Sequence, residues 1–231
     1  MADIALVNHA GFHQPHREEL ERDALLVAPS LLGGLLSVCL DGASVTVRIT
    51  EVEAYHGLGT GSTPDPGSHA RMGKTDRNAT MWGAPGHLYV YLSHGIHSCV
   101  NVACSPDGVA SGVLLRAGEV IEGVDAAAAR RTTSREFVDL ARGPGRLGKA
   151  VGLVPSLHNG IDALAGGAAQ AGALARLWVR DEPLVDVAAG PRVGVSGRAG
   201  TDAFPWRFWI PGDPTVSPFR AGRGAVGAAE A

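Results

Sequence analysis

The sequence predicts a single mixed α/β domain in which helices surround an antiparallel sheet and one β-hairpin protrudes. Three observations predict it. Residues 45–50 alternate and are rich in β-branched residues, and the strand they belong to, 43–53, is joined through Asp41-Gly42 to an apolar run over 35–40. Residues 88–104 repeat that pattern around a turn at His94-Gly95, where glycine accepts a positive φ. The remaining runs read as short helices with glycine stops, and neither an internal repeat nor a linker divides the 231 residues.

The elements follow in order. Residues 1–16 form a polar, mobile lead-in holding His9, His13 and His16; the segment lacks the basic start and apolar core of a secretory signal. No apolar run reaches membrane-spanning length, which points to a soluble, cytoplasmic protein. Residues 23–32 read as a helix that Pro29 must kink or start and that Gly33-Gly34 ends. Residues 57–67 are a Gly/Thr/Pro loop, which leaves His69 on a segment able to close over a ligand. Residues 119–131 read as a helix with acids early and arginines late, as the helix dipole favours. Gly143-Pro144-Gly145 leads into a short helix over 146–152 whose amino end offers free N–H groups. Residues 162–175 are an Ala/Gly-rich surface connection. Residues 177–179 and 192–195 read as strands, and 206–210 as a last strand with core aromatics. Residues 220–231 read as a disordered tail.

The net charge of −3 does not announce a nucleic-acid binder, but its distribution is uneven. Residues 1–65 sum to −6, whereas 66–150 sum to +3 and 191–231 to +2. Basic charge is therefore concentrated with the motifs, as a surface that meets a polyanion would require. Cys39, Cys99 and Cys104 have no regular spacing, so neither a disulfide framework nor a zinc motif is expected; Cys99 and Cys104 read as small core residues. His94 and His97 fall on opposite faces of a two-period strand, which argues against a metal. Only Lys74 and Lys149 are lysines, so a water-dependent reaction is easier to support than a Schiff base.

The candidate chemistry lies between Arg48 and Arg116. Glu51 and Glu53, at i and i+2, share one face of a strand. Such a carboxylate serves as a general base when it is partly buried and reaches water. A solvated edge with two surface acids explains the same spacing. Tyr55 shares the Glu53 face, and Tyr89 and Tyr91 form another i, i+2 pair; aromatic faces of this kind clamp a planar, and especially a cationic, ring. Each of these tyrosines taken alone also fits a core position. The hairpin tip projects His94 with Ile96 beside it, as an ordinary turn or as a wedge that enters a minor groove.

The blocks EVEAY, SHARMG, RNATM, PGHLYVYLSHG, CVN and VLLRA, followed by RGPGRL and PRVGV, occur in order over roughly residues 23–217. In this set the chain resembles the alkyladenine (3-methyladenine) DNA glycosylase family of the mammalian type. The resemblance implies a curved antiparallel sheet like the carboxy-terminal domain of methionyl-tRNA formyltransferases. It implies a monomeric, monofunctional enzyme of base excision repair that needs neither cofactor nor metal and acts on double-stranded DNA holding damaged purines. The substrates would be of the 3-methyladenine, 7-methylguanine, hypoxanthine and ethenoadenine class, excised at the nucleoid to leave an abasic site. By position, Glu53 activates water and Arg116 holds that water and a phosphate. Tyr55, His69 and Tyr91 stack on the flipped base, Asn101 lies at the pocket floor, and the Val193 backbone fixes the water or the base. His94, with Ile96, stands where the family's mammalian members place an intercalating tyrosine; histidine is smaller and more polar, which makes the wedge weaker. Arg71, Arg77, Arg142, Arg146 and Lys149 would contact the DNA backbone. Two other readings remain: a non-catalytic nucleic-acid-binding module of similar fold, and a small-molecule hydrolase using Glu51 and Glu53 as an acid/base pair.

Overall fold

The computed structural model describes residues 10–57, 64–164 and 172–225. In chain order it contains β1 (Phe12–His13), α1 (Arg17–Leu20), α2 (Ala24–Ser30), β2 (Leu35–Leu40), β3 (Ala43–His56), β4 (Leu88–Ser93), β5 (His97–Ala103) and β6 (Ser111–Glu122). There follow α3 (Val124–Arg130), α4 (Pro144–Val151), α5 (Pro155–His158), β7 (Leu174–Arg180), β8 (Ala188–Gly190) and β9 (Arg207–Trp209). The strands pair antiparallel in the order β1-β7-β2-β3-β6-β5-β4, with β9 joining β3 and β8 joining β9. Among the described residues no helix is long and apolar enough to cross a membrane.

β3 is the axis of the sheet. Its first half pairs with β2 from Ala43 to Arg48, and its second half, Glu51 to Glu53, pairs with β9 on the same side. The other edge runs along β6 from Thr46 to His56, with irregular register near Thr46 and around Glu51. Extra residues of this kind bend and twist a strand, and they turn the Glu51–Tyr55 segment towards the hairpin side. α2, α4, β2, β3 and β6 enclose the main core, which includes Val27, Leu31, Val47, Ile49, Leu115, Leu147 and Val151.

Several expected elements are corrected. β6 continues to Glu122, where a helix was expected from 119. The acids that suggested a helix amino end belong to a strand: Glu119 accepts from Arg48 at 2.9 and 2.8 Å, and Glu122 from the Thr46 hydroxyl at 2.8 Å. Only after Gly123, at φ 71°, does α3 begin. α2 starts at Ala24 because Asp23 caps it, accepting from Leu25 N–H at 2.8 Å; Pro29 sits in its last turn, where it gives up the helical bond that an N–H there would make to the Leu25 carbonyl. No strand forms over 192–195, because Arg192 is consumed by a buried ion pair and Val193 N–H bonds a side chain rather than a strand. Of the expected lead-in, residues 1–9 lie outside the described residues, and Phe12–His13 pair with Arg180 and Val179. Of the expected tail, 226–231 lie outside them, while the Arg220 and Arg223 carbonyls accept from Gly194 and Gly197 N–H.

α4 seats the far wall of the site. A Cβ at Gly148 would stand 2.0 Å from the Ser98 carbonyl oxygen, so only glycine lets the helix lie this close to β5. Pro144 at its first turn fixes φ where no helical donor is needed.

Candidate active site

β3 brings two acids to one arginine. Arg116, on β6, places Nε 3.0 Å from Glu51 Oε1 and a terminal nitrogen 3.3 Å from Glu53 Oε1. Both glutamates are fully buried. Glu51 also accepts from Arg207 Nε at 2.6 Å and from Ser217 N–H at 2.8 Å. Glu53 accepts from Val193 N–H at 2.7 Å on Oε1 and from the Tyr55 hydroxyl at 2.8 Å on Oε2. A carboxylate has about four lone-pair sites, so Glu53 retains one, on Oε2. It lines a cavity of about 510 Å³, together with Tyr55, His69, Tyr91, Asn101 and Arg116. Glu51 does not line that cavity; its bonds to two guanidinium groups remove the partner that an acid/base pair of glutamates would need.

The walls are aromatic. Tyr89 and Tyr91 stack with centroids 5.2 Å apart at 21°, and His69 meets Tyr91 edge-on at 4.7 Å. Tyr89 and Tyr91 line the cavity from β4, the edge strand of the sheet. Burial, followed by the charges of Arg77 and Arg71, lowers the His69 pKa from its usual 6.5, so the ring is neutral at pH 7. Burial and the Glu53 carboxylate raise the Tyr55 pKa well above its usual value, which keeps its hydroxyl a donor. Burial likewise pushes the Cys99 thiol up to about 11. Asn101 pairs across the sheet with Leu114 and gives its side-chain N–H to the Tyr89 carbonyl at 3.3 Å, deep in the cavity.

The loop carrying His69 is tied by Asn78, whose amide nitrogen donates to the His69 and Gly73 carbonyls at 3.0 and 3.1 Å. The hairpin tip stands at the rim. His94 (φ 49°) and Gly95 (φ 73°) make the turn, and Ile96 is 72% exposed. Beside the tip a second recess of about 700 Å³ is lined by Ile96, His97, Arg131, Arg142, Arg146 and Lys149, with Asp139 as its one carboxylate; it shares Ser93, Cys99 and Pro144 with the first.

The structure thus gathers Glu53, Tyr55, His69, Arg71, Tyr91, His94, Asn101, Arg116 and Val193 around one cavity and Ile96, Arg142, Arg146 and Lys149 around its neighbour. Arg77 lines neither, but lies behind the cavity wall with its guanidinium 5.9 Å from the Tyr91 ring centroid, donating to the Leu92 carbonyl at 3.0 Å. Sequence reasoning did not single out Arg207, Ser217, Asp65 or Asn78. The one available signal was Arg207, a cation inside an otherwise apolar aromatic strand, which implies a buried acid to meet it.

A buried carboxylate lining a cavity with aromatic residues, beside an exposed hairpin tip and a cationic recess, suits an enzyme that acts on a flat group carried by a polyanion. The methylpurine-DNA glycosylase (MPG) family matches residues 18–214, and the chain belongs to it. It is therefore a DNA glycosylase, a hydrolase of N-glycosyl bonds in DNA repair. A relative from Nocardia farcinica, named "Putative 3-methyladenine DNA glycosylase", is 47% identical over 213 residues, covering 92% of this chain and 94% of its own. Proteins of the same name from Streptomyces avermitilis and Leifsonia xyli subsp. xyli are 48% and 47% identical over 205 and 211 residues. They cover 89% and 90% of this chain and 91% and 93% of their own lengths.

Proposed function

We propose that the cavity receives an alkylated or deaminated purine flipped out of duplex DNA, and that Glu53 activates the water that excises it. The observation that carries this reading is a buried Glu53, with an acceptor site left over on Oε2, among the residues that line a cavity of about 510 Å³ with Tyr55, His69 and Tyr91. Extruding a nucleotide costs a few kcal/mol, least for a damaged or mispaired base. His94 and Ile96 at the exposed tip fill the place it leaves in the duplex, while Arg71, Arg77, Arg142, Arg146 and Lys149 bind the backbone phosphates. Tyr55, His69 and Tyr91 stack on the base, and Asn101 meets its edge at the cavity floor.

Water bound to Oε2 loses a proton to Glu53 as its oxygen attacks the sugar carbon. The C–N bond breaks with its electron pair leaving on the purine, and an abasic site remains. Arg116 and Val193 N–H hold the carboxylate in place, and Arg116 also offers charge to a nearby phosphate. A 3-methyladenine or 7-methylguanine is already cationic and leaves without further protonation; neutral aromatic faces attract it. A neutral His69 suits stacking on such a ring. A neutral lesion such as hypoxanthine or ethenoadenine takes its proton from water rather than from His69. The enzyme acts as a monomer in the cytoplasm, at the nucleoid.

Single-turnover excision from methylated duplexes and from duplexes with one hypoxanthine tests this, with wild type beside Glu53→Gln. General-base loss predicts a fall of about 10²–10⁴-fold in the mutant. Wild-type binding without release of any of these bases would overturn the reading.

A further inference from the structure

Arg192 is the largest side chain without solvent exposure. Its two terminal nitrogens donate to the two Asp65 oxygens at 2.8 Å each, and further to the Ala54 carbonyl at 3.1 Å and the Ala199 carbonyl at 3.2 Å. The guanidinium lies 4.5 Å from the Tyr55 ring centroid and 5.0 Å from that of Trp206, while its Nε is buried without a partner. Asp65 in turn accepts from His56 N–H at 3.1 Å and Gly67 N–H at 2.9 Å. The pair fastens together the end of β3, the loop that leads to His69, and the segment at 192–199.

Neither residue lines the reaction cavity, so neither touches substrate. Both of the donors that Glu53 receives besides Arg116 nevertheless hang from this clasp. Val193 N–H follows Arg192 by one peptide bond, and the Tyr55 hydroxyl is carried by the ring on which the guanidinium lies. A planar, doubly bonded guanidinium fixes orientation as well as distance, which an ammonium would not. Moving either donor rotates the carboxylate and re-aims its free lone pair.

We propose that Asp65 and Arg192 are positioning residues that set the Tyr55 O–H and Val193 N–H against Glu53, so that the remaining Oε2 lone pair points into the cavity. The proposal rests on Glu53 being the water-activating base. It gives the pair a role in the chemical step beyond fold stability, since a buried ion pair is by itself weak evidence for stability.

The test is single-turnover excision with saturating enzyme, alongside lesion-duplex affinity, for wild type, Glu53→Gln, Asp65→Asn, Arg192→Lys, Tyr55→Phe and the Asp65→Asn/Tyr55→Phe double variant. Asp65→Asn is expected to lower the excision rate constant by at least about tenfold while affinity stays within about threefold, as misplacement of a catalytic group does. The double variant should lose less than the product of the two single losses, because both act on one hydrogen bond. Arg192→Lys keeps the charge and one bond to Asp65 and should show the same split. A rate constant within about twofold of wild type, a parallel loss of rate and affinity, or multiplicative losses in the double variant would each overturn the proposal. So would unfolding of both clasp variants, which would make the pair a folding element only. An inactive wild type overturns the reading of Glu53 instead; an active wild type, an inactive Glu53→Gln and unaffected clasp variants overturn the clasp alone.

Discussion

Glu51 and Glu53 stand two residues apart on one strand face, are equally buried, and share Arg116, yet their settings differ. Glu51 is sealed among Arg116, Arg207 and Ser217, and its charge joins β3, β6 and β9. Glu53 meets one arginine, one backbone N–H and one tyrosine, and opens onto a cavity. The same side chain is thus a structural joint in one setting and a reagent in the other. What separates them is the second guanidinium and the absence of a wall of protein on the far side. Position along the strand does not.

The largest test of that contrast is a pair of conservative replacements. Glu53→Gln should remove activity by about 10³-fold, within the range for a lost general base, yet keep the thermal midpoint close to wild type. Glu51→Gln should do the reverse to the fold. It leaves two buried guanidinium groups facing a neutral amide, a change on the order of 3–5 kcal/mol, read as a large drop in the denaturation midpoint. Equal losses of stability in the two variants would erase the distinction.

A smaller effect concerns the wall opposite Glu53. Gly148→Ala drives a methyl group into the Ser98 backbone and should cost about 1–3 kcal/mol. Since α4 must shift away from β5, lesion affinity should weaken as well. Full affinity with a lower midpoint would show that α4 serves the fold and not the groove. Smaller again is the contribution of single surface cations. Lys149→Ala should weaken binding to damaged and undamaged duplexes alike and reduce the slope of log affinity against log salt by about 1. A loss confined to damaged DNA would place Lys149 in recognition of the base.

The smallest effect is in pH. Burial lowers the His69 and His158 pKa values from 6.5, so the unfolded chain binds these protons more tightly than the folded one. Their contribution is present above 6.5 and is lost as pH falls through their lower folded values. His13, raised chiefly by Asp181 with a further contribution from Glu19, runs the other way: its contribution is full below 6.5 and lost as pH rises through its folded value. His69→Gln should therefore flatten the acid-side decline of the unfolding midpoint, whereas His13→Ala should destabilise more at pH 5.5 than at pH 8. Identical profiles for the three proteins would remove these histidines from the balance.

The reading of the chain was best where local chemistry and tertiary contact agree. The Asp41-Gly42 and His94-Gly95 turns appear as expected because both need a left-handed backbone that glycine and few others accept. The motif residues from Glu53 to Arg116 line one cavity, with His69 and Arg71 brought to it by a loop and the others by paired strands. The reading went astray at 119–122, where acids before a run of alanines imitate a helix start, and at 192–195, where an alternating pattern imitates a strand. In both places the deciding partners are distant in sequence: Arg48 for Glu119, and Asp65 for Arg192.

By itself, the sequence determined the antiparallel sheet and its two tight hairpins, which follow from alternation and turn stereochemistry, both local properties; the candidate site residues it offered came from resemblance to a family. Only the tertiary structure decided which of two neighbouring glutamates is free, that Arg192 is buried beneath Tyr55, and that the cationic recess adjoins the aromatic cavity. The first two depend on groups more than a hundred residues apart meeting out of water, where the cost of an unpaired charge makes the choice of partner decisive.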